Sequence, residues 1–125
     1  MPDAILVADD EAVLQRLLSR VLERAGFEVV VAGDGATAAA AVEKEPERFA
    51  AVVLDATLAP RGAAETLRVL LARRAGPGVV LMSGADLDRE LRAALLRCGG
   101  VFLSKPFGPE TLVAAVRRAV DAREG

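Results

Sequence analysis

The sequence predicts an α/β protein: one doubly wound sheet of five parallel strands, a (βα)5 arrangement with helices on both faces. Short apolar runs recur five times, and each precedes a stretch whose apolar residues repeat at three- and four-residue intervals. Strands that alternate with amphipathic helices are typical of a parallel sheet. Residues 51–55, Ala-Val-Val-Leu-Asp, begin with four apolar residues, as in strands buried on both faces. The 125 residues fit a single domain, residues 1–125, with its core in residues 4–122.

The composition indicates a substantial core and excludes several kinds of site. Hydrophobic residues make up 53% of the chain but aromatic residues only 3%, so Ala, Leu and Val must fill the core. The absence of His excludes imidazole catalysis, and the single Cys argues against zinc and an internal disulfide. The 16 basic and 18 acidic residues are interspersed, so we expect neither a nucleic-acid nor a membrane partner. With no membrane-spanning run and no signal-peptide pattern, we expect a cytoplasmic protein.

Each predicted element follows from its own residues. The predicted strands are residues 4–8, 28–32, 51–55, 79–82 and 101–103. The first helix is predicted from apolar positions that fall between residues 14 and 25. The other predicted helices are residues 36–45, 63–74, 87–97 and 109–122. Glycine and proline residues separate these elements, as expected at turns and helix ends.

The first and last helices show the pattern most clearly. The inward face of the first helix is predicted to carry Leu14, Leu17, Leu18, Val21, Leu22 and Ala25. Asp9 or Asp10 is placed to cap its start, and Gly26 is placed to end it. The last helix has Pro109 in its first turn and is predicted to bury Leu112, Val116, Ala119 and Val120.

Polar side chains stand at the ends of four strands. They are Asp9 and Asp10 after the first strand, Asp55 at the end of the third, Ser83 after the fourth and Lys105 after the fifth. Because parallel strands end at one edge of the sheet, where open α/β sheets bind ligands, we expect these residues to converge. Each alone has an ordinary explanation as a cap, a turn residue or a solvated side chain. The functional interpretation therefore rests on the whole set.

The convergent residues indicate phosphoryl transfer to an aspartate. Clustered carboxylates repel one another unless a cation neutralises them, and Mg²⁺ is the hard cation that prefers oxygen ligands. Asp55 would then be the nucleophile that forms an acyl phosphate. Lys105 would add a positive charge beside the phosphoryl oxygens, and Ser83 would add a hydrogen-bond donor.

Four motifs together give the chain the pattern of a known family. They are Asp9-Asp10, Val-Val-Leu ending in Asp55, Val-Leu-Met before Ser83, and Lys105-Pro106-Phe107. Over residues 4–122 the chain resembles the receiver domain of two-component response regulators, the chemotaxis-regulator-like superfamily. The resemblance implies that Asp55 receives a phosphoryl group from a histidine kinase or a histidine phosphotransfer protein. It also implies a flavodoxin-like strand order, 2-1-3-4-5, and a cis peptide bond between Lys105 and Pro106.

The resemblance further implies a magnesium site. The metal would be bound by Asp10, Asp55 and the main-chain carbonyl of Thr57, with Asp9 reaching it through water. Such a domain catalyses only its own aspartyl phosphorylation and dephosphorylation, so we do not expect an enzyme in the ordinary sense.

A conformational switch is implied by the same resemblance. Ser83 and Phe102, which lies three residues before Lys105, would change position together when Asp55 is phosphorylated. Phosphorylation would shift an existing equilibrium on the face formed by the last two helices and the fifth strand. A homodimer, or other domains of a parent chain, would use that same face.

Two segments depart from the family pattern. After Asp55 the family usually has Pro at the fourth position and Gly at the eighth, whereas this chain has Pro60 at the fifth and Gly62 at the seventh. The loop at residues 59–62 is therefore expected to differ in shape. The turn before the fifth strand is also expected to differ, because Cys98-Gly99-Gly100-Val101 stands where the family usually has Gly-Ala-x-Gly.

Other functions remain open from the residues alone. A receiver-like docking module that is never phosphorylated is one alternative; the complete acidic set with Ser83 and Lys105 argues against it, while the altered loop keeps it open. An aspartate-nucleophile phosphohydrolase would need an acid two residues after Asp55, where this chain has Thr57. A flavodoxin-like cofactor carrier would not place Asp9-Asp10-Glu11 where a phosphate must bind. A stand-alone regulator and the receiver module of a hybrid sensor histidine kinase are both compatible with the sequence.

Overall fold

A five-stranded parallel sheet runs through the centre of the molecule. The computed structural model describes residues 4–58, 66–68, 76–84 and 86–124. The strands are Ala4–Ala8 (β1), Glu28–Ala32 (β2), Phe49–Asp55 (β3), Gly78–Ser83 (β4) and Val101–Ser104 (β5). They lie in the order β2-β1-β3-β4-β5, and each neighbouring pair is parallel. The predicted strand order is confirmed.

Helices cover both faces of this sheet. In the described ranges they are Ala12–Arg24 (α1), Gly35–Lys44 (α2), Arg89–Arg97 (α3) and Pro109–Glu124 (α4). Residues 66–68 are also helical and fall within the helix predicted at 63–74, whose other residues lie outside the described part. The predicted boundaries agree with the observed ones to within about two residues, the usual uncertainty at helix ends.

The core consists of two apolar layers, one on each face of the sheet. Leu18 and Leu22 of α1 and Leu112 and Val116 of α4 pack with β1, β3, β4 and β5 in one layer. Residues of α2 and α3, together with Leu67, form the other layer. Burial of each Leu or Val side chain contributes about 1.5–3 kcal/mol. Since these layers enclose β3 on both sides, the strand that ends at Asp55 is buried throughout.

The start of α1 differs from the prediction that Asp9 or Asp10 caps it. The N-cap residue is Glu11, whose side chain makes no capping hydrogen bond. Oδ1 of Asp9 instead accepts the main-chain N–H of Glu11 at 2.8 Å, which closes a tight turn before the helix begins. Asp9 is therefore used in the turn after β1.

The inward face of α1 is narrower than predicted. Leu18 and Leu22 are buried, but the side chain of Leu17 is 56% exposed. Leu17 precedes Leu18 by one residue, which rotates it by about 100° around the helix and away from the sheet. The predicted end is confirmed: Gly26 follows the helix with φ +99°, a conformation that glycine adopts without strain.

The turn before β5, which departs from the family pattern, closes α3 tightly. The N–H of Gly100 donates to the carbonyl of Leu95 at 3.0 Å, and Gly99 takes a left-handed conformation with φ +67°. Cys98 at this turn is half-buried, and burial raises the pKa of its thiol, which is unfavourable for a reactive thiolate. The loop at residues 59–62 lies outside the described residues.

Candidate functional site

The turn after β1 brings two acids to the edge where the strands end. Asp9 is buried with 0% exposure, whereas Asp10 is exposed. The N–H of Asp9 donates to the carbonyl of Ala32 at 3.1 Å, which extends the pairing between β1 and β2 by one residue. The turn thus holds one carboxylate inside the protein and presents the next one to solvent.

Asp55 ends β3 with its two carboxylate oxygens in different surroundings. Oδ1 accepts the main-chain N–H of Thr57 at 3.0 Å and the Thr57 hydroxyl at 2.9 Å. Oδ2 faces Nζ of Lys105 at 3.5 Å. The side chain of Asp55 is 3% exposed and that of Lys105 is 26% exposed, so solvent screens this ion pair only partly.

Lys105 is held at the site through its backbone. Its N–H donates to the carbonyl of Ser83 at 2.8 Å, directly after the last paired residues of β4 and β5. The peptide bond between Lys105 and Pro106 is cis, as the resemblance implied. The main-chain hydrogen bond thus ties Lys105 to the end of β4 as well as to β5.

The carboxylates of Asp9, Asp10 and Asp55 form a compact cluster. Each offers one oxygen, and these oxygens all lie within 4.8 Å of one another. Burial raises the pKa of Asp9 first of all, and the charge of Asp55 raises it further, while the hydrogen bond from Glu11 and the charge of Lys105 act in the opposite direction. The ammonium group of Lys105 therefore offsets only part of the local negative charge.

The cluster fits a hard divalent cation. Oδ2 of Asp9 is buried and has no hydrogen-bond partner among the described residues. An unpartnered buried carboxylate oxygen is costly, and a cation beside it removes that cost. All the donors are oxygen atoms, which Mg²⁺ prefers.

The two predicted switch residues lie on neighbouring strands. Ser83 ends β4 and is 4% exposed, whereas Phe102 on β5 is 44% exposed. Phe102 pairs with Leu81 in the sheet, two residues before Ser83. The structure thus brings Asp9, Asp10, Asp55, Thr57, Ser83 and Lys105 to one edge, with Phe102 on the adjacent surface.

Gln15 is a contact of this site that the sequence interpretation missed. Its Nε2 donates to the main-chain carbonyl of Asp9 at 2.5 Å. A signal was present, because Gln15, Leu18 and Leu22 follow a spacing of three and then four residues. A polar residue on the inward stripe of an amphipathic helix needs a buried partner, and here the partner is the turn after β1.

Residues 5–117 match the family model for the response regulator receiver domain. This chain belongs to that family. The receiver domain is 34% identical over 116 residues to the probable transcriptional regulatory protein TcrX of Mycobacterium tuberculosis, covering 93% of this chain and 49% of TcrX. It is 37% identical over 118 residues to the DNA-binding response regulator MtrA of Mycobacterium leprae, covering 94% of this chain and 51% of MtrA. The chain thus spans about half the length of these curated relatives.

Solved structures with the same fold agree with this assignment. The chemotaxis protein CheY4 of Vibrio cholerae superposes with a TM-score of 0.80 at 25% identity, covering 95% of this chain and 99% of CheY4. NtrX of Brucella abortus superposes with a TM-score of 0.80 at 28% identity, covering 99% of this chain and 27% of NtrX. The receiver domain is accordingly a signalling module of a two-component system, and its relatives are regulators rather than ordinary enzymes.

Two further findings concern metal binding and the membrane. Receiver domains generally bind Mg²⁺ at an acidic pocket and interact with histidine kinases, and Asp9, Asp10 and Asp55 form an acidic cluster in this chain. No helix within the described residues has both the length and the apolar character needed to cross a membrane.

Proposed function

We propose that Asp55 of this receiver domain accepts a phosphoryl group from a histidine kinase or a histidine phosphotransfer protein, with Mg²⁺ as cofactor. The observation that carries the proposal is the 3.5 Å contact between Nζ of Lys105 and Oδ2 of Asp55, beside the carboxylates of Asp9 and Asp10. An acceptor, a fixed positive charge and a cluster of oxygen ligands are the parts that phosphoryl transfer to a carboxylate needs.

In the transfer step a carboxylate oxygen of Asp55 attacks the phosphorus of a phosphohistidine. The O–P bond forms as the P–N bond breaks, and the electron pair of the broken bond stays on the imidazole nitrogen of the donor. The attacking oxygen becomes the uncharged bridging oxygen of the acyl phosphate, and the donor leaves as neutral imidazole when its other ring nitrogen carries a proton. The negative charges then lie on the phosphoryl oxygens, with which the ammonium group of Lys105 can pair. Oδ2 is the oxygen that faces Lys105, whereas Oδ1 accepts two hydrogen bonds from Thr57.

The residues proposed to hold Mg²⁺ are Asp10, Asp55 and the main-chain carbonyl of Thr57, with Asp9 acting through water. The compact set of carboxylate oxygens and the unpartnered Oδ2 of Asp9 support this assignment. Bound there, Mg²⁺ would offset the charge of the carboxylates and of the incoming phosphoryl group. Without the metal, the aspartates would repel the incoming phosphoryl group, so their role is to hold the cation beside Asp55.

We also propose that Ser83 and Phe102 transmit the phosphorylation signal. The hydrogen bond from the N–H of Lys105 to the carbonyl of Ser83 links the ends of β4 and β5 at the acceptor. A phosphoryl group that draws Ser83 and Lys105 towards it acts on both strands at once. The affected face comprises α3, β5 and α4, where Leu96 and Phe102 are exposed apolar residues suited to a homodimer or to neighbouring domains of a parent chain.

The domain boundary and the partners follow from the same proposal. We infer that residues 1–125 form one receiver domain with its core in residues 4–122, since the family match covers 5–117. We propose no nucleic-acid contact for this domain, because its acidic and basic residues are interspersed. We also propose that the domain works in the cytoplasm, where a histidine kinase or phosphotransfer protein would donate the phosphoryl group.

The decisive experiment is incubation of the purified chain with acetyl phosphate and MgCl₂, followed by intact mass measurement. We expect a gain of one phosphoryl group, which is lost in Asp55→Asn and in the presence of a chelator. Asp121→Asn, an exposed aspartate on α4, is the matched control and should gain the group. If the unaltered chain gains no phosphoryl group, the phosphoacceptor proposal is wrong and the docking module takes its place. Continuous turnover of acetyl phosphate without a bound group would instead indicate a phosphohydrolase.

A further inference from the structure

The position of the Asp9 carboxylate depends on contacts that the rest of the residue makes. The N–H of Asp9 donates to Ala32, its Oδ1 accepts from the N–H of Glu11, and its main-chain carbonyl accepts from Nε2 of Gln15. The remaining polar atom, Oδ2, is buried and unpartnered within the described residues. Three contacts therefore fix where the one available oxygen lies.

Of these three contacts, two are made by main-chain groups of Ala32 and Glu11. The third is made by the side chain of Gln15. Gln15 sits in the first turns of α1, is half-buried, and reaches back six residues to the end of β1. The N-cap residue Glu11 provides no side-chain capping bond, so the amide of Gln15 ties the start of the helix to the turn. The amide lies near Gly33, where an added methyl group would make an ordinary contact with Nε2 at 3.8 Å.

We propose that Gln15 is a positioning residue for the metal-binding acids, acting through the main-chain carbonyl of Asp9. Loss of the amide donor leaves a buried carbonyl without its partner, and the turn relaxes to find another. Asp10 follows Asp9 directly, so both carboxylates shift relative to Asp55. The inference rests on the proposed function in one respect, that this cluster binds Mg²⁺.

The direct test is the dissociation constant of MgCl₂, measured by calorimetry on the folded chain. Gln15→Met keeps the length of the side chain but removes the donor, and we expect the dissociation constant to rise about tenfold, as for other partners that orient metal ligands. Gln15→Glu also removes the donor but adds a negative charge beside the site. Simple electrostatics predicts tighter binding for Gln15→Glu, whereas the positioning role predicts weaker binding in both variants.

A control separates positioning from general destabilisation. Gly78→Ala perturbs the amino end of β4, at the opposite edge of the sheet, and should lower stability without changing the affinity for Mg²⁺. In phosphorylation by acetyl phosphate, the Mg²⁺ concentration for half-maximal rate in Gln15→Met should rise by the same factor as its dissociation constant.

The inference is overturned if Gln15→Met binds Mg²⁺ as the unaltered chain does, or if Gln15→Glu binds it more tightly. It is also overturned if Gly78→Ala weakens binding to the same degree as Gln15→Met, because a loss of stability would then explain both. If the unaltered chain binds Mg²⁺ but takes no phosphoryl group, the proposed function fails and the calorimetric result still decides the role of Gln15.

Discussion

The ammonium group of Lys105 lies 3.5 Å from Oδ2 of Asp55, although the two residues are 50 positions apart in the chain. Asp55 is the last residue of β3 and Lys105 directly follows β5. Because β4 lies between these two strands, the Lys105 side chain spans the end of β4 to reach Asp55. The pair is largely shielded from solvent, so its attraction is stronger than that of a surface ion pair. Several measurable consequences follow from this contact and its surroundings.

Replacing Lys105 with Met should abolish most phosphorylation of Asp55 and also destabilise the protein. The carboxylate of Asp55 is left buried without its positive partner, so we expect the free energy of unfolding in metal-free buffer to fall by about 1–2 kcal/mol. Urea denaturation measures the change, and Lys44→Met on the exposed end of α2 is the control. In the double variant with Asp55→Asn the loss should largely disappear, and two independent, additive effects would contradict the ion pair.

Replacing Asp9 with Asn should stabilise the metal-free protein at neutral pH. Burial raises the pKa of Asp9 in the folded state, so the charged form costs stability there. We expect a gain of about 1–3 kcal/mol in the free energy of unfolding, because Asn removes a buried negative charge from beside two other carboxylates. The advantage of Asn should shrink as the pH falls from the raised folded pKa towards the ordinary value of 3.8, and it should be absent below 3.8, where Asp9 is protonated in both states.

Addition of Mg²⁺ provides the complementary measurement on Asp9. The metal should raise the midpoint of thermal unfolding more in the unaltered chain than in Asp9→Asn, since it binds only the folded cluster. An equal rise in both proteins would show that Asp9 contributes nothing to the metal site.

Replacing Gly78 with Ala should be strongly destabilising. A methyl group at Gly78 would overlap the main-chain carbonyl of Ala119, where α4 crosses the start of β4. Relief of such an overlap requires a backbone shift, for which we expect a loss of about 1–3 kcal/mol in urea denaturation. Gly108→Ala is the matched control, because a methyl group there meets nothing within 4 Å. Equal stability of the two variants would contradict the close packing of α4 on the sheet.

Replacing Asp34 with Asn tests how the start of α2 depends on pH. Oδ1 of Asp34 accepts the N–H of Thr37 at 2.7 Å, and this hydrogen bond holds the pKa of the carboxyl below its usual value. A lowered pKa contributes stability that is present above the ordinary value of 3.8 and is lost as the pH falls through the folded value. The unaltered chain should therefore lose its advantage over Asp34→Asn in acid, as followed by urea denaturation at several pH values. A constant difference would show that the charge of Asp34 is irrelevant to the cap.

The strand and helix positions could be predicted from the sequence because the apolar pattern and the polar residues at the strand ends indicate the same parallel sheet. The strands up to Asp55 and Lys105 lie within two residues of the predicted positions, since parallel sheets require continuous apolar runs. The sequence was insufficient for the start of α1, where Asp9 could cap the helix or close the turn, and both are local bonds of similar strength. The exposure of Leu17 and the contact of Gln15 depend on how α1 is rotated against the sheet, which periodicity alone leaves uncertain by tens of degrees.

The complete enclosure of β3 has a consequence for how such a domain can be redirected. The proposed acceptor Asp55 stands at the end of a strand that the core encloses, while the outer sides of the helices carry residues that the core does not constrain. The residues proposed for phosphoryl transfer and the residues free to contact a partner thus belong to different parts of the chain. Substitutions on the outer surfaces of the helices should therefore change which donor this receiver accepts, while the proposed transfer to Asp55 is unchanged.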